Sequence, residues 1–230
     1  MPSLTEAVAA SAPGALVGAT DWCTHPAGLD VVRIGGTKNP AVDRIVALAP
    51  DLVIANEEEN REPDLAALRA AGVEVLVTEV RDVPRAFVEL ARVIAACGVA
   101  ERPAWLAEAE ATWAALPEPR HRIRAAVPIW RRPWMALGRD TFAGDVLARL
   151  GVDNVYATHP DRYPRFAPDE LPDVDLIVLP DEPYRFTADD GPESFAAPCA
   201  LVSGRHLTWY GPSLTRAPQA LAAALRAARR

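Results

Sequence analysis

Short uncharged apolar runs alternate along the chain with segments whose apolar residues recur at helical spacing. The clearest run is DLVIA, over residues 51–55, which leads into Asn56 and three glutamates. A run with no charge after Asp51 is typical of a strand that is covered on both faces, as in a parallel sheet. This pattern predicts an α/β fold with buried parallel strands.

The first half of the chain predicts helices and strands in alternation. Ser3 and Glu6 have the spacing of a capping box for a helix that ends near Ser11. Asn39 is a good N-cap for a short helix over residues 40–48. The other elements predicted here are strands over 14–20, 51–55 and 73–78 and helices over 63–71, 83–97 and 103–116.

The second half repeats this pattern. LAPDLVIANEEEN and LPDVDLIVLPDEPYRF both pass through Pro and Asp into an apolar strand and then into acidic residues, which indicates a duplicated half-domain. Pro133, between two arginines and two tryptophans, argues against a regular element at that point. The other elements predicted here are strands over 122–130, 135–137 and 200–203 and helices over 141–150 and 220–228.

Three segments resemble one protein family: PSLTE at 2–6, GGTKNPAVDRIVALAPDLVIA at 35–55 and RDTFAGDVLARLGVDNVY at 139–156. They are similar to the class III, helical-backbone substrate-binding proteins of ABC importers, which carry cobalamin, haem or iron siderophores. The resemblance implies two Rossmann-like α/β lobes joined by a rigid interlobe helix, with a ligand cleft between the lobes and no covalent chemistry. The implied boundaries are an N-terminal lobe over 1–98, an interlobe backbone helix over 99–121 and a C-terminal lobe over 122–230.

The family resemblance also bears on the start of the chain. Relatives carry a hydrophobic strand directly before PSLTE, where only Met1 stands here, so we expect the first strand of lobe one to be truncated. The N-terminus shows no export signal, and no apolar segment of 18 residues occurs. As encoded, we expect a cytoplasmic protein with no membrane insertion, whereas members of the resembled family are usually periplasmic or extracytoplasmic lipoproteins.

Charge and cysteine spacing argue against two further classes, nucleic-acid binders and proteins built on a disulfide framework. The 230 residues carry a net charge of -7, which argues against a general nucleic-acid binder because such proteins need a basic face. Cys23, Cys97 and Cys199 form no CxxC pair and no disulfide framework. We expect a monomer.

The loops after the predicted strands supply candidate ligand contacts. A corrin or porphyrin presents apolar faces and a polar rim, so its site needs aromatic planes with a few polar groups. Parallel sheets bind ligands outside the carboxyl ends of their strands. The candidates are Trp22, Cys23, His25, Asn56, Glu57, Glu58, Glu59, Asn60, Trp130, Arg131, Trp134, Arg162, Tyr163, Trp209 and Tyr210. The alternative for each aromatic residue is a place in a hydrophobic core, which we expect for Trp105 and Trp113.

His25 is the candidate metal ligand, since a neutral imidazole can coordinate the cobalt or iron of a bound chelate. Its alternative role is that of a hydrogen-bonded turn residue. A site formed by His25, His159 and His206 is a further hypothesis, although their spacing does not demand it. The three glutamates meet polar groups of a ligand, hold a hard metal ion, or form a solvated loop.

The leading hypothesis is a non-enzymatic protein without an intrinsic cofactor, which binds a cobalamin-like corrinoid, with haem and ferric siderophores next. One alternative is a cytoplasmic sensor or storage protein for haem or a ferric siderophore. Another is an enzyme in which His25 activates the thiol of Cys23. The resemblance implies that one surface acid on each lobe pairs with an ABC permease if the protein is exported. By position these are Glu62 and either Asp169 or Glu170.

Overall fold

The chain forms two α/β units in a computed structural model that describes residues 1–229. The first unit contains residues 1–80, 85–107 and 210–212, and the second contains residues 81–84, 108–209 and the segment from Ser213 onward. Both units contain parallel strands, so the predicted class of two α/β lobes is confirmed. Among residues 1–229, none of the helices has the length and apolar character needed to cross a membrane.

The first unit contains two separate pairs of parallel strands. Its elements are helices α1 (Pro2–Ser11), α2 (Val42–Ala47) and α3 (Glu62–Ala70) and strands β1 (Gly18–Ala19), β2 (Val32–Arg33), β3 (Val53–Asn56) and β4 (Val75–Thr78). β1 pairs with β2 and β3 pairs with β4, both in parallel. The apolar run after Asp51 therefore forms the parallel strand that its pattern predicts, which begins two residues later and ends one residue later than predicted.

Two longer helices each contain residues of both units. They are α4 (Val83–Ala96) and α5 (Ala104–Ala114). Residues from Arg85 onward in α4 belong to the first unit, and residues from Glu108 onward in α5 belong to the second. Trp113 is buried on α5, and its Nε1 donates a 3.0 Å hydrogen bond to the carbonyl oxygen of Leu214. Trp105 donates to the Ser11 hydroxyl at 3.0 Å, so both rings have packing partners.

The second unit is built on a four-stranded parallel sheet. Its elements are strands β5 (Ile123–Ala126), β6 (Pro128–Arg131), β7 (Trp134–Ala136), β8 (Val152–Asn154), β9 (Leu176–Pro180) and β10 (Cys199–Val202) and helices α6 (Phe142–Arg149), α7 (Gly204–Thr208) and α8 (Ala217–Ala227). The sheet order is β10-β9-β5-β8. All five residues of β9 are buried, as expected for a central strand that helices cover on both faces.

The helix starts that the sequence predicts differ from those in the structure. Ser3 lies inside α1, whose N-cap is Met1 and makes no side-chain capping bond, so the capping box is wrong. Pro2 occupies the first turn instead, where a missing N–H costs nothing. Asn39 does not cap α2, because Pro40 is still extended and forms a bridge with Gly35. The N-cap of α2 is Ala41.

The predicted strand over residues 122–130 is two strands. β5 ends at Ala126, and β6 then turns away to pair with β7 in an antiparallel hairpin. Pro133 does not prevent this hairpin, because it lies in the turn, where no ladder hydrogen bond is required of it. Trp134 therefore lies on a strand and not in a loop, which corrects its placement, while Trp130, the last residue of the predicted strand, lies on β6.

Candidate functional site

The polar loop after β3 is held by amide side chains. Asn56 is buried, and its Nδ2 donates to the carbonyl oxygen of Thr78 at 3.1 Å and to the hydroxyl of Tyr210 at 3.0 Å. Its Oδ1 accepts from the backbone N–H of Glu58 at 3.1 Å. Tyr210 belongs to the first unit, although the sequence placed it in the second lobe. Asn56 and Tyr210, two predicted site residues, thus contact each other.

The rest of this loop is closed by Asn60 and Thr37. Asn60 Oδ1 accepts from the backbone N–H of Asn56 at 2.9 Å, while its Nδ2 donates to the carbonyl oxygen of Thr37 at 3.0 Å. The Thr37 hydroxyl donates to Glu59 Oε2 at 3.0 Å. Within residues 1–229, no group of three or more His, Cys, Asp or Glu side chains is placed to hold a metal ion. The hard-metal interpretation of the glutamates therefore has no support.

Trp22 presents its indole to solvent just beyond the carboxyl end of β1. The residue is 71% exposed, the largest exposure among the exposed large hydrophobic residues of the described chain. The indole lies next to Gly36, where a Cβ would be 4.0 Å from Trp22 Nε1, an ordinary van der Waals contact. An exposed ring of this size costs solvation free energy, and such rings mark contact surfaces when polar groups surround them.

Cys23 and His25 are placed differently although they are two residues apart. The Cys23 thiol is 1% exposed and lies 3.1 Å from the hydroxyls of Thr5 and Thr20. His25 is half-buried, with Nδ1 3.1 Å from the Thr24 hydroxyl. The buried α-amino group of Met1 also interacts with the Cys23 thiol, and burial lowers the pKa of that amino group.

The loop that carries these residues is tied down by Arg33. Its guanidinium donates to the carbonyl oxygens of Thr20 at 3.0 Å, Cys23 at 2.9 Å and Leu29 at 3.3 Å. Three charge-assisted bonds from one side chain fix the backbone from β1 through the turn at Pro26. Sequence reasoning did not select Arg33 as the residue that holds this loop, because a single arginine on a short strand has no local signature.

In the second unit, Trp130 is exposed on the β6–β7 hairpin, and Arg131 of the same hairpin binds two acidic side chains. Trp130 is 42% exposed and meets Tyr184 edge to face, with ring centroids 5.7 Å apart. Arg131 forms ion pairs with Asp190 and Glu193. The hydrogen bond from the Tyr184 hydroxyl, 2.6 Å long, lowers the pKa of Asp190, and Arg131 lowers it further. The same bond raises the pKa of Tyr184.

Trp134 and Trp209 both have partners within the second unit. Trp134 stacks on Phe186 with centroids 5.9 Å apart and planes 6° from parallel, and it packs against the hydrophobic core of this unit. Trp209 is 6% exposed, and its Nε1 donates to Glu182 Oε2 at 2.7 Å. Both were predicted as ligand contacts in loops. Trp134 is partly buried and Trp209 is buried, and their role as ligand contacts stays a prediction.

The remaining candidates, His159, Arg162 and Tyr163, lie in the segment between β8 and β9. Tyr163 is half-buried with the Arg162 guanidinium 6.0 Å from its ring centroid, and Arg162 donates to the carbonyl oxygen of Asp140 at 2.8 Å. His159 Nδ1 accepts from the backbone N–H of Asp161 at 3.0 Å. The hypothesis of a His25, His159, His206 site joins residues of both units and stays a prediction. Coordination by His25 alone stays a prediction.

Tyr184, Asp190 and Glu193, which contact the β6–β7 hairpin, are the main residues that sequence reasoning did not select. Asp190 and Glu193 are about sixty positions beyond Arg131, and Asp190 is separated from it by 59. Such a distance leaves no spacing signal. Tyr184 had a signal, because it lies in the acidic segment that follows β9 and mirrors the segment that follows β3. The duplicated pattern therefore pointed to the segment after β9, which contains Tyr184.

Comparison with known proteins adds to this geometry. A sequence model of the periplasmic binding protein family matches residues 3–175. The chain belongs to this family. Its resemblance to the class III binding proteins of ABC importers is confirmed at the level of the family and the fold. No curated protein sequence matches the chain.

Solved structures of periplasmic binding proteins share the fold. The periplasmic vitamin B12 binding protein BtuF of Vibrio cholerae is 17% identical with a TM-score of 0.76, over 100% of this chain and 96% of that one. The periplasmic haem-binding protein RhuT of Roseiflexus sp. RS-1 is 21% identical with a TM-score of 0.80, over 100% and 97%. A periplasmic haem-binding protein of Pseudomonas aeruginosa is 24% identical with a TM-score of 0.77, over 97% and 89%.

Proposed function

We propose that this periplasmic binding protein family member is the non-catalytic binding component for a planar metal chelate, with a cobalamin-like corrinoid as the first choice and haem or a ferric siderophore next. The observation that carries the proposal is the exposed Trp22 ring beyond the carboxyl end of β1, beside the ordered polar loop after β3. Fold relatives whose names specify vitamin B12 or haem support this ligand class.

The chemistry of both units fits such a ligand. In the first unit, Trp22 offers an apolar plane, while Glu57 and Glu58 offer acceptors for amide or hydroxyl groups of the rim. In the second unit, Trp130 offers another plane that Tyr184 holds from behind. Each plane is exposed while its supporting residues are fixed, so little conformational entropy is lost when a flat ligand stacks on it.

Titration tests the ligand class directly. Purified protein is titrated with cobalamin, haem and a ferric siderophore while visible absorbance and tryptophan fluorescence are recorded. We expect saturable binding of one of them with quenching of the exposed indoles. If none binds below about 100 µM, which corresponds to roughly -5.5 kcal/mol, the ligand class is wrong.

His25 is the residue we propose as an axial ligand to the metal of the chelate. Its imidazole is half-buried on the same loop as Trp22, and the neighbouring Thr24 hydroxyl orients Nδ1. His25→Ala should shift the visible spectrum of the bound chelate and weaken binding. His25→Gln, which keeps a polar side chain but has no imidazole, serves as the matched control and should show the same spectral shift. An unchanged spectrum in both variants would make His25 a turn residue.

The enzyme alternative requires an accessible and activated Cys23. The thiol is instead buried between two threonine hydroxyls. Cys23→Ser preserves hydrogen bonding at that position and should leave chelate binding within about twofold of wild type. Rapid alkylation of Cys23 in the native protein, with loss of a measurable turnover, would favour the enzyme.

We further propose that an ABC permease is the macromolecular partner, with Glu62 as the docking acid of the first unit and Asp169 or Glu170 as that of the second. The Glu62 side chain is 74% exposed at the start of α3 and forms a 2.9 Å ion pair with Arg69 Nη1. Asp169 and Glu170 are exposed on the 3-10 turn Pro168–Glu170. An exposed acidic side chain in the first turn of a helix can contact a cationic partner without a change in the fold.

A further inference from the structure

A third backbone segment of the second unit pairs with the β6–β7 hairpin along β7. The backbone N–H of Phe166 donates to the carbonyl oxygen of Trp134 at 3.3 Å, and the N–H of Ala136 donates to the carbonyl oxygen of Pro164 at 2.9 Å. Residues 164–166 therefore extend the hairpin to a ribbon of three antiparallel segments. β7 is the central segment of this ribbon.

The pairing determines which side chains share a face of the ribbon. Trp130 of β6 is opposite Met135 of β7, and Met135 is opposite Arg165 in an antiparallel bridge. Directly opposed residues of antiparallel strands project to the same face. The bonds that flank Met135 and Arg165 make them a non-hydrogen-bonded pair, in which the side chains lie closer together. Trp130, Met135 and Arg165 thus form one row across the ribbon, here called the outer row.

The other face of the ribbon packs against the interior of the second unit. Trp134 stacks on Phe186 with ring centroids 5.9 Å apart, and its ring also lies 5.9 Å from that of Phe166. Successive side chains along a strand point to opposite faces. The outer row therefore faces away from this packing, and its two end residues, Trp130 and Arg165, are exposed.

The two arginines of the ribbon differ in the charges around them. Arg131 is next to Trp130 on β6 and points to the inner face, where it forms ion pairs with Asp190 and Glu193. Arg165 forms no ion pair with an acidic side chain in the part of the chain that the structure describes. A guanidinium has a permanent positive charge and five N–H donors, so it binds anionic oxygen groups well. The outer row therefore ends in a group suited to an anion.

We propose that Arg165 recognises an anionic oxygen group, a carboxylate or a phosphate, at the edge of the planar chelate that stacks on Trp130. This inference rests on the proposed function and adds a specificity-determining residue to it. The segments that hold Trp130 and Arg165 are two strand spacings apart, about 10 Å. A side group of a stacked macrocycle spans that distance across Met135, whose flexible thioether adapts to an apolar ligand face.

The two anionic groups occur on different chelates. Haem carries propionate carboxylates, and cobalamin carries a phosphodiester in its nucleotide arm. Each has a counterpart without the anion: haem dimethyl ester, in which the carboxylates are esterified, and cobinamide, which lacks the nucleotide and its phosphate. The pair of compounds that responds to a change at Arg165 therefore identifies the source of the anion.

The test measures the affinity of wild type and Arg165→Gln for these four compounds by absorbance titration. We expect Arg165→Gln to weaken binding of haem or of cobalamin about tenfold or more and to leave the matched compound without the anion within about twofold of wild type. Arg165→Lys, which keeps the positive charge, should bind the anionic compound more tightly than Arg165→Gln does. Arg124→Gln removes an exposed arginine from β5 of the same unit and should bind every compound as wild type does.

Two outcomes would overturn the inference while the proposed function stands. Arg165→Gln weakens neither anionic compound, or it weakens both members of a pair equally. Failure of the wild-type protein to bind any of the four compounds would overturn the ligand class itself and this inference with it. Urea denaturation of Arg165→Gln and Arg124→Gln shows that any loss of affinity comes from folded protein.

Discussion

A tryptophan's role in this protein depends on its exposure more than on its neighbours in the sequence. Trp22 is 71% exposed, whereas Trp113 is 5% exposed and donates its Nε1 to the carbonyl oxygen of Leu214. We expect Trp22→Ala to weaken chelate binding by on the order of 2 kcal/mol, about thirtyfold, because a stacking plane is lost. Its free energy of unfolding should stay close to wild type.

Trp113→Ala is the matched comparison at the residue scale. Truncating this buried ring leaves a cavity and an unpaired carbonyl oxygen, so the free energy of unfolding should fall by about 3 to 5 kcal/mol. Absorbance titration and urea denaturation measure the two quantities for each variant. Equal affinity of folded Trp22→Ala and wild type for the chelate would remove Trp22 from the site.

At the scale of an element, the β6–β7 hairpin depends on a charge cluster. The backbone N–H of Gly191 lowers the pKa of Glu193, the Tyr184 hydroxyl lowers that of Asp190, and Arg131 lowers both. Carboxylates with lowered pKa stabilise the folded state above their unfolded pKa and lose that contribution as the pH falls through the folded value. The hairpin should therefore loosen below about pH 4.

Arg131→Met tests this dependence, because it keeps the length of the side chain and removes its charge. The variant should be less stable than wild type near pH 7, and the difference should shrink as the pH falls below about 4. Trp130 fluorescence follows the hairpin. Arg185→Met removes an exposed charge of the same unit that does not shift the pKa of Asp190 or Glu193, and it serves as the control. A stability difference between Arg131→Met and wild type that is the same at pH 7 and pH 3 would contradict the role of the cluster.

The hairpin also shows where the sequence pattern stops being informative. Uncharged apolar runs predicted β3 and β9 because burial on both faces excludes charge from a strand. The same pattern predicted β5 and β6 as one strand, because an apolar run does not show where the chain leaves one sheet and pairs with another strand. Pro133 was informative about the turn but not about the strands on either side of it.

At the scale of the molecule, the fold was predictable and the arrangement of the site only partly so. Three segments within residues 2–156 identified the family, because the residues that form a strand, start a helix or make a turn are neighbours in the sequence. They placed Asn56 after a strand, but they could not show that Tyr210 would be its partner, 154 positions away. Whether Trp134 faces solvent or a core likewise depends on which strands meet, which local patterns do not contain.

The docking proposal leads to the last prediction, which separates ligand binding from transport. Glu62→Lys should reduce uptake of labelled chelate through the cognate permease in proteoliposomes by at least tenfold, because it replaces attraction to a cationic surface with repulsion. Chelate affinity should not change, since Glu62 is exposed at the start of α3 and its ion pair with Arg69 contributes little to stability. Glu101→Lys, at an exposed acid between α4 and α5, controls for net charge and should leave uptake intact. Equal uptake by both variants would exclude Glu62 as a docking residue, whereas parallel loss of affinity and uptake in Glu62→Lys would place it at the ligand instead.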